Sequence, residues 1–142
     1  MWFWKPKKPS VRFIYRRYRD GLAPIIPLKV LAGKRWRRIH AYVDSGAAYS
    51  VLTVAEARRL GLMRIKARHI GVTTSGGQSQ KISLHRLWVK VGEDRLSVTF
   101  GVPRGFDVHC NLLGRRDLFR RYTVCFDDTH GTLTFLPHSH KV

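Results

Sequence analysis

The hydrophobic and polar positions along the chain predict a series of short β-strands joined by turns. Short apolar runs alternate with stretches rich in glycine, aspartate and serine, which is typical of strands and tight turns. An early run, Val11–Tyr15, alternates imperfectly and is followed by a turn at Asp20-Gly21. Four later pairs of runs predict hairpins: Ile25–Leu31 with Trp36–Val43, Ile70–Thr74 with Gln80–Leu84, Leu87–Val91 with Leu96–Val102, and Thr123–Phe126 with Thr132–Leu136.

Two further stretches predict short helices. Thr53 and Glu56 fit a capping box, in which the Thr53 side chain caps the helix and Glu56 reaches back to the Thr53 N–H. Gly61 suits the left-handed position that ends such a helix. Arg115–Tyr122 is the second predicted helix. Many strands and two short helices predict a mostly β fold.

The composition indicates one globular domain. Of the 142 residues, 44% are hydrophobic and 11% aromatic, which argues against extensive disorder. We interpret residues 1–20 as a basic, aromatic N-terminal arm, 21–137 as the domain and 138–142 as a C-terminal tail. No apolar run has the length of a transmembrane segment. Two cysteines without a CxxC pair make no disulfide framework, so we expect a reduced, cytoplasmic setting.

The chain carries 27 Lys and Arg residues against 9 Asp and Glu, a formal net charge of +18. This excess fits a solvated basic surface as well as it fits attraction to nucleic acid, anionic lipid or an acidic protein. Side chains that could pair with phosphates and stack on bases are interleaved near the N-terminus: Arg12, Phe13, Tyr15, Arg16, Arg17, Tyr18 and Arg19. No glycine-rich phosphate loop or zinc-finger spacing accompanies them. A nucleic-acid partner is therefore possible but not favoured.

One of the scarce carboxylates, Asp44, directly follows the apolar run that ends at Val43. A lone charge in such a place is costly unless it has a partner or a function. One interpretation is structural, with Asp44 capping the turn and with Ser45 and Gly46 as ordinary turn residues. The other interpretation takes account of a second apolar run that ends in glycine, "NLLG" at 111–114. Its combination with "DSGA" is unlikely to arise by chance.

The order of these elements resembles the retropepsin-like aspartic proteases. In that family a strand ends in Asp-Ser/Thr-Gly-Ala, a hairpin flap follows, and a second strand ends in apolar-apolar-Gly before a helix. The matching segments are "YVDSGA" at 42–47, "TSGGQS" at 74–79 and "NLLGRRDLF" at 111–119, and the resemblance covers residues 25–136. It implies a closed, retropepsin-like β-barrel with a flap hairpin, active as a C2 dimer.

The resemblance also implies roles for individual residues. Asp44 corresponds to the catalytic aspartate. The active-site loop would be supported by Ser45, whose hydroxyl bonds across the dimer axis, and by Gly46 and Ala47. The positions expected to form the flap and the substrate groove are Ser75, Gly76, Gly77, Leu112, Leu113 and Gly114.

Three departures from the family pattern concern the surroundings of these residues. Retroviral members carry an acid after the alanine of the motif, and this acid pairs with the arginine after the glycine of the second motif. Here that position is Ala48, so Arg115 lacks this partner. Arg116 places Asp117 one position later than in the family's Gly-Arg-Asp. The flap also lacks the usual Gly-Ile-Gly-Gly.

Peptide hydrolysis by this route requires two carboxylates that share one proton. The chain has one Asp-Ser-Gly, so a single chain supplies half a site. A C2 homodimer would place Asp44 opposite its own copy, and Thr132–Leu136 is a candidate for a terminal strand that ties the two subunits further. The route requires no metal or organic cofactor, and His138 and His140 lack a third metal ligand.

The predicted function is therefore that of an aspartic endopeptidase acting on protein or peptide substrates. The alternative is a catalytically idle dimeric binding module on the same fold, which binds nucleic acid or an acidic protein through its basic surface. The substitution Asp44→Asn separates the two. It would abolish peptide cleavage by the enzyme but leave the salt-dependent binding of the module unchanged.

Overall fold

Twelve strands and two short helices make up residues 8–138, the part of the chain that the computed structural model describes. The strands are β1 (Val11–Ile14), β2 (Arg16–Tyr18), β3 (Gly21–Ala23), β4 (Ile25–Ala32), β5 (Arg35–Val43), β6 (Ser50–Val51), β7 (Arg68–Thr73), β8 (Ser79–Val91), β9 (Asp94–Arg104), β10 (Leu112–Leu113), β11 (Tyr122–Asp127) and β12 (Thr132–Pro137). The helices are α1 (Val54–Arg59) and an irregular helix over Arg115–Phe119, and a 3₁₀ turn spans Leu62–Arg64. Residues 1–7 of the predicted arm and 139–142 of the predicted tail lie outside the described residues.

Six strands close into a barrel that encloses the core. Their order is β4-β5-β10-β6-β9-β8, and β4 pairs with β8 at Val30 and Val89 to complete the ring. β7 extends the sheet beyond β8. On β4 the buried side chains of Ile26, Leu28 and Val30 alternate with more exposed ones, as a strand with one face toward a core requires. The prediction of a mostly β fold built on a closed barrel is confirmed.

The first and last strands meet in a separate three-stranded sheet, ordered β1-β12-β11. Val11 of β1 pairs with Phe135 of β12, and Tyr15, which follows β1, is buried. Residues assigned to the N-terminal arm therefore contribute a strand and a core side chain to the described fold.

The position of β12 corrects one expectation about the dimer. β12 lies between β1 and β11, so both of its edges are paired within the chain over Thr132–Phe135. The expectation that Thr132–Leu136 ties two subunits as a paired strand is wrong over this stretch, because its backbone already bonds to β1 and β11.

The first predicted helix is confirmed, with one change in its capping. The Thr53 Oγ1 accepts a hydrogen bond of 3.0 Å from the Glu56 N–H, and Gly61 after the helix has a φ of +77°. The Thr53 N–H, however, donates to Asn111 Oδ1 at 3.0 Å instead of to Glu56. The capping box is thus closed by a residue from a distant part of the chain.

The second predicted helix forms in the expected place but is not regular. Inside it, Arg116 has an extended ψ of 134° and Asp117 a positive φ of 70°. The carboxylate of Asp117 accepts a hydrogen bond of 2.9 Å from the N–H of Thr99 in β9. We attribute the kink to this contact, since it draws Asp117 toward the barrel. No helix within residues 8–138 is long and apolar enough to cross a membrane.

Candidate active site

The loop that carries Asp44 begins where two parallel strands end together. Leu112 and Leu113 of β10 pair with Tyr42 and Val43 of β5, and the Asp44 N–H donates to the Leu113 carbonyl at 2.9 Å. Leu113 and Val43 are buried in the core. The apolar ends of β5 and β10 therefore hold the backbone of Asp44 in place at the end of β5.

The Asp44 side chain is half-buried and takes part in its own turn. Its Oδ1 accepts a hydrogen bond of 2.8 Å from the Gly46 N–H, and its carbonyl accepts one of 3.3 Å from the Ala47 N–H. A Cβ at Gly46 would lie 3.2 Å from Asp44 Oδ1, so a larger residue there would crowd the carboxylate. Ser45 and Gly46 are exposed, so the crest of the loop is open to a substrate or a second subunit. The structural interpretation of this turn is correct, and it is compatible with the catalytic one.

The segment after β10 packs directly beneath this loop at Gly114. A Cβ at Gly114 would lie 2.4 Å from the carbonyl oxygen of Tyr49 and 2.7 Å from that of Ala47. The Gly114 N–H donates to the buried hydroxyl of Ser50 at 3.1 Å, and the next N–H, of Arg115, donates to Ala47 at 2.8 Å. The glycine of the second motif is thus required by the close approach of two backbone segments.

Arg115 has a partner even though the sequence lacks the expected acid. Its Nη1 donates a hydrogen bond of 2.7 Å to the backbone carbonyl of Ser45. Next to it, the Arg116 N–H donates to the carbonyl of Ala48 at 3.0 Å, and its guanidinium lies 5.1 Å from the ring centroid of Tyr49. A backbone carbonyl therefore replaces the missing carboxylate, and both arginines hold the loop in place.

Asn111 is a site residue that sequence reasoning did not single out. It is buried, its Oδ1 accepts from the Thr53 N–H, and its Nδ2 donates to the His40 carbonyl at 2.9 Å and to Glu56 Oε1 at 3.2 Å. It therefore joins β5, α1 and the start of β10 behind the Asp44 loop. Its position as a polar residue directly before an apolar run was the one signal in the sequence.

The predicted flap segment forms the tip of the β7–β8 hairpin. The Thr74 N–H donates to the Gln78 carbonyl and the Gly77 N–H to the Thr74 carbonyl, both at 2.9 Å. Gly77 has a φ of +76°, while Ser75 and Gly76 are exposed. These bonds connect the tip to its own hairpin and not to the Asp44 loop. The structure thus brings Asp44–Ala47 together with Leu113 and Gly114, while Leu112 is only partly buried.

Within residues 8–138 no group of three His, Cys, Asp or Glu side chains is arranged to hold a metal ion. The Nε2 of His138 lies 2.9 Å from the Thr123 hydroxyl, and His140 is outside the described residues.

Comparisons with known proteins agree with the geometry of the candidate site. The family model of the aspartyl proteases matches residues 26–127. The chain is 35% identical over 98 residues to the UBA domain-containing protein Mud1 of Schizosaccharomyces pombe, which covers 68% of this chain and 29% of Mud1. It is 33% identical over 91 residues to the DNA damage-inducible protein 1 of Eremothecium gossypii, and the match covers 63% of this chain and 19% of that protein. The chain thus spans less than a third of the length of these curated relatives.

Solved structures share the fold. A retropepsin-like aspartic protease from Rickettsia conorii superposes with a TM-score of 0.61 at 26% identity, covering 95% of each chain. The EIAV protease in complex with an inhibitor superposes with a TM-score of 0.51 at 21% identity, covering 70% of this chain and 88% of the other, and supports the fold alone. From the matched model, the relatives and the shared barrel, we conclude that this chain belongs to the retropepsin-like family of aspartyl proteases.

Proposed function

We propose that the protein is an aspartic endopeptidase whose active site forms between two copies of the chain. The observation that carries the proposal is the loop of Asp44, which is anchored on paired β-strands and presents a half-buried carboxylate beside an exposed Ser45-Gly46 crest. The chain has one such motif. A two-fold axis near the crest would bring Asp44 opposite its own copy, because each residue on such an axis meets its image.

In the proposed mechanism the two Asp44 carboxylates share a single proton. Two carboxyl groups about 3 Å apart do not both ionise, because their negative charges would repel each other, so one is protonated and the other is charged. The charged one takes a proton from a water molecule, whose oxygen attacks the peptide carbonyl carbon, while the protonated one donates its proton to the carbonyl oxygen. The tetrahedral intermediate then collapses as the C–N bond breaks, with a proton transferred to the leaving amine.

The remaining site residues receive supporting roles in this proposal. Ser45 would bond across the dimer axis, and Gly46 and Ala47 would keep the loop narrow enough for a substrate strand. The hairpin tip at Ser75, Gly76 and Gly77 would fold over a bound peptide as a flap. Leu112, which is partly buried, would contact substrate side chains, and Leu113 and Gly114 would support the loop from the core.

The direct test is cleavage of a mixed peptide library between about pH 4 and 7, the range suited to a proton-sharing carboxylate pair. Wild type is compared with Asp44→Asn and, as a matched control, with Asp20→Asn at an exposed position. We expect Asp44→Asn to lose at least about 100-fold in cleavage rate, as removal of a general base does. The control should cleave like the wild type.

Equal cleavage by wild type and Asp44→Asn would contradict the proposal, as would an absence of cleavage from a verified dimer. The second result would favour the idle binding module, whose partners would then be sought through the basic surface.

The homodimer has a test of its own by subunit mixing. If both Asp44 carboxylates are needed, an equal mixture of wild-type and Asp44→Asn subunits, allowed to exchange, leaves about a quarter of the dimers with two wild-type loops. We therefore expect about a quarter of the activity found for the same total concentration of wild-type protein. Half the activity would instead indicate that each chain works independently.

A further inference from the structure

A groove separate from the residues of the Asp44 loop lies on the outer face of the β8–β9 hairpin. Arg86 and Trp88 of β8 pair with Thr99 and Ser97 of β9, so their side chains share one face of the sheet. The chain after the irregular helix closes the other side with Arg120. The groove has a volume of about 540 Å³.

This groove, called the arginine groove below, carries a concentrated positive charge. The arginines that line it are Arg86, Arg95, Arg120 and Arg121. Arg86 Nε donates to the Ser97 hydroxyl at 2.6 Å, and Arg121 Nη2 donates to the Arg95 carbonyl at 3.3 Å. These bonds to neutral oxygens orient the guanidinium groups without cancelling their charge.

The acids near the groove are too few to balance its arginines. Asp117 is the one acid among the described residues that line it. Its carboxylate accepts the Thr99 N–H and keeps its negative charge, against four arginines. Asp94 lies 4.0 Å from Arg121, but it is bonded by Lys8 at 2.8 Å and by the Tyr122 hydroxyl. The arginine groove therefore keeps an excess of positive charge available for an anionic ligand.

Trp88 adds a flat apolar surface to this charge. Its side chain is 54% exposed, so the ring is open to contact with a ligand. Arg95, which lines the groove together with Trp88, also lies over a second ring, with its Cζ 5.1 Å from the ring centroid of Trp36. Lys90 Nζ lies 4.4 Å from the same centroid. A ring exposed among cations is the arrangement that binds a base and its phosphates together.

The basic N-terminal segment is a weaker candidate for the same ligand over the part that the structure describes, since its aromatic rings from residue 8 onward are already packed. Tyr15 is buried, Phe13 packs edge-on against Phe135 with ring centroids 5.6 Å apart, and Tyr18 packs similarly against Tyr42 at 6.2 Å. None of these three rings offers the exposed face that Trp88 does.

We propose that the arginine groove binds single-stranded nucleic acid, with Trp88 stacking on a base and the arginines contacting phosphates. A single strand is favoured over a duplex because only an unpaired base can present its face to the ring. An acidic peptide would satisfy the guanidinium groups but would leave the Trp88 ring uncovered. The net charge of +18 would draw the strand toward the protein at long range.

The test measures fluorescence anisotropy of a labelled oligothymidylate against full-length protein over a range of salt concentrations. Trp88→Ala should weaken binding about tenfold, and Trp88→Phe should keep most of the affinity because it keeps a ring. The double variant Arg86→Gln with Arg120→Gln should reduce the slope of log affinity against log salt by about 1.4, the value for two phosphates of a single strand.

The matched control is the double variant Arg12→Gln with Arg17→Gln, which removes the same charge from exposed positions of the N-terminal segment. It should leave the salt slope unchanged. Equal losses in the two double variants, or tighter binding of a duplex than of the single strand, would overturn the proposal. An unchanged affinity for Trp88→Ala would also overturn it, and melting curves check that each variant is folded.

Discussion

At the scale of single residues, the Asp44 loop depends on atoms in contact that leave no room for a larger side chain. Gly114 lies against the carbonyls of Tyr49 and Ala47, and its backbone conformation alone does not require glycine, since its φ is −90°. What excludes other residues here is space. The glycine of the second motif is therefore a packing requirement of the Asp44 loop.

We expect Gly114→Ala to reduce the free energy of unfolding by about 1–3 kcal/mol, because the added methyl group would overlap the Tyr49 carbonyl. Gly21→Ala is the matched control, since a Cβ there meets no atom within 4 Å. Urea unfolding measures both. If the two substitutions changed stability equally, the close approach at Gly114 would not be the cause.

Arg115 gives a second prediction at this scale, which depends on the proposed activity. Replacing it by Gln removes the bond from Nη1 to the Ser45 carbonyl and should lower kcat/KM about tenfold, since small displacements of catalytic groups are costly. Because Arg115 is exposed, stability should change little. Arg58→Gln, an exposed position on α1, is the control and should retain full activity. A variant Arg115→Gln with wild-type kcat/KM would count against a positioning role.

The sequence was sufficient to predict the turn at Asp44, Ser45 and Gly46, because a local turn needs these residue types at adjacent positions. It was not sufficient to find the partner of Arg115, since a backbone carbonyl carries no signature in the sequence. Asn111 was missed for a related reason. Its three hydrogen bonds reach β5 and α1, which only the fold brings near it.

At the scale of elements, a helix or strand was predicted correctly where the contacts that determine it lie between neighbouring residues of the chain. The helix α1 was predicted correctly because its cap, Thr53, and its end, Gly61, act on their immediate neighbours. The second helix is irregular because Asp117 bonds to Thr99, 18 positions earlier in the chain. β8 runs unbroken through His85 and Arg86, where the sequence separated two strands, since polar side chains interrupted its apolar pattern.

The β7–β8 hairpin offers a matched pair of glycines to test the flap. Gly77→Ala should cost about 1 kcal/mol of stability because its φ is +76°. Gly76→Ala should leave stability unchanged, since a Cβ there lies no closer than 4.0 Å to Thr74 Oγ1. If the tip covers a bound peptide, Gly76→Ala should nevertheless lower kcat/KM. A Gly76→Ala enzyme with unaltered kinetics would show that the tip does not contact the substrate.

At the scale of the whole molecule, two histidines connect stability to pH. Burial lowers the pKa of His85 below its usual value of 6.5, and the charges of Arg104 and His69 lower it further. Burial likewise lowers the pKa of His40, together with Arg16 and Arg38. Both histidines therefore bind a proton less readily in the folded protein than in the unfolded chain, so the unfolded chain takes up more protons as the pH falls below about 6.5.

We expect the free energy of unfolding to be steady above about pH 6.5 and to fall as the pH drops below that value. Urea unfolding at a series of pH values would measure this, with His85→Gln expected to flatten the dependence because glutamine does not titrate. An identical slope in His85→Gln would mean that other groups cause the effect. The loss falls within the acidic range proposed for catalysis, so the enzyme would work where its fold is less stable.

The pairing of β1 with β12 has a consequence for how the chain comes to be folded. The Tyr15 hydroxyl donates to Asp128 at 2.8 Å, 113 positions later in the sequence. Contacts between such distant segments form late, because a long loop must close before they yield any stabilisation. During synthesis on the ribosome, the Phe13 ring therefore lacks its packing contact with Phe135 until Phe135 has been synthesised and has left the ribosome. The three-stranded sheet can be completed only after synthesis of β12, so β1 has no partner strand until β12 has left the ribosome.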